Sequence, residues 1–143
     1  MSGILTGIWQ AEVHTEAGST DPELRGRTYT IPFDTVWQSS VDIVNGGLRG
    51  WSLWRANDQT GVIVALARTP ILGTEADVRI EVGLDTNGQT RVDANAKSRT
   101  GKGHWGRARR LVRRFQKELD ERLGARPDQI LDPTRLPEYR EQR

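Results

Sequence analysis

The chain has 143 residues, of which 35% are hydrophobic, a net charge of +2 and no cysteine. This length suits one domain with its own core, and the lack of cysteine excludes disulfides, thiolate zinc sites and cysteine nucleophiles. The apolar start at residues 4–9 is too short for a signal peptide or a transmembrane segment. We therefore expect a cytoplasmic protein, unless a targeting segment has been removed.

The charge is unevenly distributed along the chain. Between Arg99 and Arg126 there are ten basic and three acidic residues, a local charge of +7, which leaves −5 for the remainder. A basic stripe on an acidic body could attract nucleic acid, an anionic lipid surface or a second copy of the body.

Hydrophobic periodicity predicts five strands, at residues 25–31, 51–55, 62–68, 78–84 and 91–97. The last two alternate apolar and charged residues and are joined by a hairpin containing Asn87-Gly88, which is typical of an antiparallel sheet with one solvated face. Turn chemistry at residues 57–61 separates the second and third predicted strands.

Two helices complete the predicted domain. The first begins at Pro32 and ends at Asn45-Gly46-Gly47, and its apolar stripe comprises Phe33, Val36, Trp37, Val41 and Val44. The second runs from Trp105 to Leu123, with Ala108, Leu111, Val112, Phe115, Leu119 and Leu123 on its apolar side. The predicted fold is α+β: a five-stranded antiparallel sheet with two helices on one face, in the order β-α-β-β-β-β-α.

Segments of different character flank this domain, which spans residues 25–124. Residues 1–24 are predicted to form an N-terminal arm, and residues 125–143 an extended, proline-containing C-terminal tail. Ile130, Leu131, Leu136 and Tyr139 predict that the tail docks on its own domain or on a neighbouring copy, because a disordered tail rarely carries four such residues.

A glycine-rich loop precedes the second helix and reads G-x-G-x-x-G at residues 101–106. A dinucleotide site also needs a βαβ unit, whereas the preceding strand belongs to an antiparallel hairpin. Backbone N–H groups beside Arg99 and Lys102 could hold a phosphate or carboxylate; the alternative is a flexible loop.

No other residues indicate a reaction, a metal or a cofactor. His14 and His104 lack metal-ligand spacing, and no serine lies in a nucleophile-elbow setting. The carboxylates of Asp77, Glu81 and Asp93 face arginines across the predicted strands, which favours salt bridges over paired catalytic acids. Trp51 and Trp54 have opposite parity on one strand, so one of them should face away from the core. An outward tryptophan indicates an interface, a ligand surface, or packing under the N-terminal arm.

The chain resembles the bacterial family catalogued as domain of unknown function 1499 over about residues 26–123. The resemblance rests on residues 29–37, on residues 58–63, and on Arg91-Val92-Asp93 followed by Ser98-Arg99-Thr100-Gly101. Its matched candidates for a site are Ser98, Arg99 and Gly101. This chain has His104 where the family pattern has an aspartate, and Ala108 where it has an asparagine. If the aspartate and the asparagine carry the family's function, that function would be lost or altered in this chain. The resemblance implies no activity.

Arginines of the second helix extend these candidates into one predicted basic surface: Ser98, Arg99, Gly101, Lys102, Arg107, Arg110 and Arg114. We expect a bound anion, acidic residues of another chain, or acidic residues of the body against it. The leading hypothesis is a non-enzymatic interaction or self-association module, forming a homo-oligomer or binding a protein partner. The alternatives are a small-ligand pocket between helix and sheet, then nucleic-acid or anionic-surface binding, and an enzyme last.

Overall fold

The computed structural model describes residues 12–69, 73–99 and 105–135. In chain order its elements are β1 (Glu12–His14), β2 (Arg27–Tyr29), α1 (Phe33–Asp42), β3 (Trp51–Asn57), β4 (Val62–Arg68), β5 (Glu75–Leu84), β6 (Thr90–Ser98), α2 (Trp105–Leu123) and β7 (Ile130–Leu131). A π-helical segment, Ile43–Gly47, continues α1, and short 3₁₀ turns lie at Pro22–Leu24, Pro127–Gln129 and Pro133–Arg135. No helix in these ranges combines the length and apolar character needed to span a bilayer.

The described strands form one antiparallel sheet in the order β3-β4-β5-β6-β2-β7, with β1 also paired to β6. Because β5 takes one edge of β6, β1 and β2 share the other: β1 pairs with residues 95–97 and β2 with residues 90–92. The predicted α+β class and antiparallel sheet are therefore confirmed. The predicted count of five strands is wrong, since the described chain has seven.

The two additional strands come from the predicted arm and tail. β1 has three residues and β7 has two, and each lies in a segment that glycine and proline interrupt, so neither was predicted as a strand. Their neighbours extend the pairing, because Thr15 N–H donates to Ala94 O at 2.9 Å and Thr30 N–H to Gln129 O at 3.0 Å. Ile130 and Leu131 thus dock on their own domain, which is one of the two alternatives predicted for the tail. Leu136 and Tyr139 lie outside the described residues.

The sheet buries one face, called here the inner face, and exposes the other, called the outer face. Alternate residues of β4, β5 and β6 are buried on the inner face: Ile63, Ala65, Ala67, Val78, Ile80, Val82, Val92, Ala94 and Ala96. Their neighbours along β5 and β6, such as Asp77, Arg79 and Lys97, lie on the outer face and are exposed. The alternation of apolar and charged residues along the predicted strands indicated this division into a buried and an exposed face.

Helix α2 packs its apolar stripe on the inner face, as predicted. Phe115 and Leu119 are fully buried, and the ring of Phe115 stacks on Trp51 with 6.3 Å between centroids. Ala108, which departs from the family pattern, is also buried in this stripe.

The predicted stripe of α1 faces the core: Val36 and Val44 are fully buried, and Phe33, Trp37 and Val41 pack against the core. Trp37 is only half-buried and stacks on Phe33, whereas Val36, Ser40 and Ile43 are fully buried. These three follow helical spacing, but the polar Ser40 at the centre obscures the pattern in the sequence. Trp37 therefore lies at the margin of the core.

The predicted turn between β3 and β4 is confirmed. Gly61 N–H donates to Asn57 O at 2.9 Å, and Gly61 has a φ of 73°. A Cβ at this position would lie 2.1 Å from Val82 O on β5. Only glycine fits, because the turn needs a left-handed conformation and a close approach to the next strand.

Candidate anion-binding groove

The outward side of α2 carries the exposed cations of the helix. A groove of about 600 Å³ follows this side, and six cationic residues line it: Arg27, Arg107, Arg110, Arg113, Arg114 and Lys117. Glu23 is the one acidic residue among the described lining residues. We call this feature the α2 groove. Its lining also includes Thr69, which follows β4, and the buried Leu111 and Gln116 of α2.

Half of these cations are satisfied by their neighbours. Arg113 Nε lies 3.1 Å from Glu23 Oε2, and Arg27 Nε lies 3.1 Å from Asp120 Oδ1. Arg107 Nη1 donates to Thr74 Oγ1 at 2.7 Å. These contacts anchor the rim of the groove to the segment before β2, to β2 itself and to the start of β5.

The other three cations, Arg110, Arg114 and Lys117, form no salt bridge with any described residue. All three are exposed. Their spacing of four and three residues places them next to one another along the helix. No acidic residue occurs in the first turn of α2 to offset them.

Beside the groove, acidic residues of the N-terminal segment pair with the helix. Arg109 Nη2 lies 2.9 Å from Asp21 Oδ2 and also contacts Glu23. The hydrogen bond from Arg109 lowers the pKa of Asp21 below its usual range, and the same bond raises the pKa of Arg109. Acidic residues of the body thus cover part of the helix, at arginines outside the predicted site.

The structure separates Arg99 from the helix arginines. Arg99 lies on the outer face, where Nη2 and Nε donate to Asp77 Oδ1 at 2.9 and 3.1 Å and the guanidinium lies 5.3 Å from the centroid of Trp54. The hydrogen bond to Asp77 raises the pKa of Arg99. Ser98 is buried on the inner side, and Gly101, Lys102 and His104 lie outside the described residues. Of the predicted site residues, Arg107, Arg110 and Arg114 are brought together.

The acidic residues predicted to be salt-bridged do form ion pairs. Arg79 pairs with Glu81 at 3.0 Å, and Asp77 pairs with Arg99. Arg91 pairs with Asp93 at 2.6 Å. The interpretation as salt-bridged charges is confirmed, but the predicted pairing across strands is wrong for Glu81 and Asp93, whose arginine partners lie two residues away on the same strand.

Arg91 and Asp93, which carry part of the family resemblance, connect three strands. Arg91 donates to Thr28 Oγ1 at 3.1 Å and to Arg25 O, while Asp93 accepts from Thr15 Oγ1 at 2.6 Å. This piece of the motif holds the ends of β1 and β2 against β6.

Sequence reasoning missed Gln116 of the α2 groove. Its side chain is 3% exposed, its Nε2 donates to Glu23 O at 3.0 Å, and its Oε1 has no hydrogen-bond partner. A signal was present, because Gln116 interrupts the apolar arc one turn after Val112. A polar residue at this position indicates either a structural hydrogen bond or a binding role. The structure shows a hydrogen bond from Nε2 of the amide and none to Oε1.

A second polar contact joins α2 to β2. The hydroxyl of Tyr29 donates to Asp120 Oδ1 at 2.5 Å, and Arg27 Nε donates to both oxygens of the same carboxylate. Tyr29 is fully buried, and this burial raises the pKa of its hydroxyl well above the usual range. The contact orients the C-terminal half of α2, and hence the groove, relative to the sheet.

Within the described ranges, no three His, Asp or Glu side chains are grouped so that they could hold a metal ion. The chain is similar to a known family: the model of a family described as "Protein of unknown function (DUF1499)" matches residues 10–119. The match includes β1, which the resemblance from residue 26 onward left out, and ends within α2. No curated protein matches the chain.

Proposed function

The chain belongs to the family described as "Protein of unknown function (DUF1499)", and from that premise we propose that it is a non-enzymatic interaction module whose α2 groove binds an acidic segment of a partner protein. The observation that carries the proposal is the set of three cations in the groove, Arg110, Arg114 and Lys117, without a salt bridge to any described residue. Adjacent arginines of the same helix have partners within the chain.

The arrangement of these cations has a cost in the isolated protein. Like charges four residues apart destabilise a helix by about 0.2–0.5 kcal/mol per pair, and Arg110–Arg114 and Arg113–Lys117 are such pairs. Cations near the start of a helix also oppose its dipole. A partner's carboxylates would relieve this repulsion, which is why we assign the groove to binding and not to stability.

The groove favours carboxylates on a protein over nucleic acid. Single-stranded nucleic acid is usually bound by aromatic side chains on which bases stack, and no described residue lining the groove is aromatic. The exposed Trp54 lies on the outer face of the sheet, away from these arginines. The cysteine-free composition favours a reducing compartment, so the proposal places the module in the cytoplasm.

The test is a titration of the full chain with a fluorescently labelled octaglutamate peptide. Replacing both Arg110→Gln and Arg114→Gln should weaken binding about tenfold or more, because a charge-assisted hydrogen bond contributes about 1.5–3 kcal/mol in a partly enclosed site. The matched control is Arg49→Gln with Arg55→Gln, which removes two exposed cations outside the groove. The control should bind like the parent protein at equal ionic strength.

Two results would contradict the proposal. One is equal binding by the groove variant and the control variant. The other is tighter binding of duplex or single-stranded DNA, with a log–log salt slope near −4 to −5, as expected for about five neutralised phosphates. That slope would favour the nucleic-acid alternative.

A second candidate function is self-association through the outer face of the sheet. Trp54 is 62% exposed there, and Val62, Val64 and Leu66 on the adjacent β4 are only half-buried. This observation does not depend on the α2 groove. The exposed tryptophan agrees with the prediction that one of Trp51 and Trp54 faces away from the core.

A further inference from the structure

The acidic segment that precedes β2 shows how α2 binds carboxylates within the chain itself. Asp21 and Glu23 lie two residues apart in this segment. Asp21 Oδ2 accepts hydrogen bonds from Arg109 Nη2 at 2.9 Å and from Arg109 Nε at 3.2 Å. Glu23 contacts both Arg109 and Arg113, with 3.1 Å between Glu23 Oε2 and Arg113 Nε. Two carboxylates at alternate positions are thus held by two arginines that lie four residues apart on the helix.

A second pair of arginines repeats this spacing inside the α2 groove. Arg110 and Arg114 also lie four residues apart, which is about 6 Å along a helix axis. Each is one position after its counterpart in the first pair, which turns the second pair by about 100° around the axis. Both line the groove, and neither forms a salt bridge with a described residue. The first pair is filled by the chain's own carboxylates, and the second is open to those of another chain.

The spacing and the size of the groove favour an extended occupant. Alternate side chains of an extended segment lie on the same side, about 6.6 Å apart, which matches the rise between the two arginines. A helical occupant would need carboxylates three or four residues apart to place them on one side. One turn of such a helix, about 10–12 Å across, would already fill the groove of about 600 Å³.

Resting on the proposed function, we infer that the partner enters the α2 groove as an extended segment with acidic residues at alternate positions, two of whose carboxylates pair with Arg110 and Arg114. The pattern is the one that the chain itself presents in Asp21-Pro22-Glu23. Because neighbouring side chains of an extended segment point to opposite sides, adjacent carboxylates cannot both reach this pair of arginines. The module therefore distinguishes acidic segments by the spacing of their charges as well as by their number.

The experiment compares two peptides of the same composition, charge and length. In the first, Glu-Ser-Glu-Ser-Glu-Ser-Glu-Ser-Ser-Ser, the acidic residues alternate. In the second, Glu-Glu-Ser-Ser-Ser-Glu-Glu-Ser-Ser-Ser, they cover the same stretch, but no two are separated by a single residue. Each peptide competes with the labelled octaglutamate for the full chain. We expect the alternating peptide to bind about fivefold more tightly, the upper end of the effect of one exposed ion pair.

A single substitution assigns the preference to the second pair of arginines. Arg114→Gln leaves Arg110 without its partner in the pair, so the variant should bind both peptides equally. Arg114 is exposed and glutamine is a good helix former, so the fold of α2 should be retained. The matched control is Arg55→Gln, which removes an exposed cation outside the groove and should keep the fivefold preference.

The outcomes separate the two proposals. Equal binding of both peptides to the parent protein, weakened by the double replacement of Arg110 and Arg114, would overturn the spacing and leave the proposed function standing. A preference that persists in Arg114→Gln would also overturn the assignment, since the peptide would then be displacing Asp21 and Glu23 from the first pair. No binding of either peptide or of octaglutamate would overturn both.

Discussion

Tyr29 and Asp120 show how a few buried polar groups position the α2 groove. The Tyr29 hydroxyl and the Arg27 guanidinium share one carboxylate on α2. Removing one partner of a hydrogen bond to a charged group costs about 1.5–3 kcal/mol. This contact fixes the position of α2 on β2 more narrowly than the surrounding apolar packing does, because hydrogen bonds require particular donor and acceptor atoms to meet.

The raised pKa of Tyr29 predicts a loss of stability at alkaline pH. An unfolded tyrosine loses its proton near pH 10, whereas the buried hydroxyl keeps its proton to higher pH. The contribution of the Tyr29 hydroxyl to the free energy of unfolding is therefore fully present below pH 10. Above pH 10 it declines by about 1.4 kcal/mol per pH unit, since the unfolded chain then binds fewer protons than the folded chain.

Urea unfolding of Tyr29→Phe and of the parent protein between pH 8 and pH 11 measures this effect. We expect the variant to be less stable at pH 8 and the difference to narrow above pH 10. Tyr139→Phe is the control, because Tyr139 is the only other tyrosine in the chain. Parallel stability curves for the parent protein and Tyr29→Phe would show that the hydroxyl does not titrate as expected.

At the scale of elements, α2 has two sides with different roles. One side buries Leu111, Phe115 and Leu119 against the inner face, and the other carries the cations of the groove. Most of the stability of a helix in a folded protein comes from packing of its apolar side, so we expect this side of α2 to contribute a large share of the free energy of unfolding.

Phe115→Ala should lower the free energy of unfolding by about 3–5 kcal/mol, the usual cost of removing a fully buried phenylalanine. The only other phenylalanine, Phe33 on α1, is half-buried and provides a matched control. Phe33→Ala removes the same atoms and should cost less. Chemical denaturation followed by tryptophan fluorescence measures both, and equal losses would mean that α2 is not packed on the sheet as described.

At the scale of the whole molecule, the outer face is divided into two halves. β3 and β4 contribute Trp54, Val62, Val64 and Leu66, while β5 and β6 contribute charged side chains. Arg99 bridges the halves, because it pairs with Asp77 and lies over Trp54. An exposed apolar patch bordered by charges is typical of an interaction surface.

If two copies associate through this face, Trp54→Ser should raise the dissociation constant of the oligomer by about tenfold or more, as for a central aromatic interface residue. The control is Leu84→Ser, because Leu84 is exposed to a similar extent, 64%, but does not lie on the outer face. Sedimentation velocity over a range of concentrations measures both. A parent protein that is monomeric throughout would contradict self-association.

Much of the fold follows from the sequence alone. Alternation along residues 78–84 and 91–97 determined the antiparallel hairpin and its buried side, because the side-chain period of a strand leaves one choice once one face is apolar. Helical spacing determined α2 and its buried side for the same reason. Among the candidate site residues, Arg107, Arg110 and Arg114 could be grouped because neighbours on one helix stay together in any tertiary arrangement.

Only the tertiary structure decided the rest. The pairing of β1 and β7 depends on which sheet edges remain open, and glycine and proline interrupt the pattern around these two short strands. Arg99 was separated from the helix arginines because parity on β6 directs it to the outer face, while the cations of α2 face away from the sheet. The unpaired oxygen of Gln116 emerged only when folding placed Glu23 O against one end of its amide, since a contact between residues 93 positions apart is set by packing and not by local pattern.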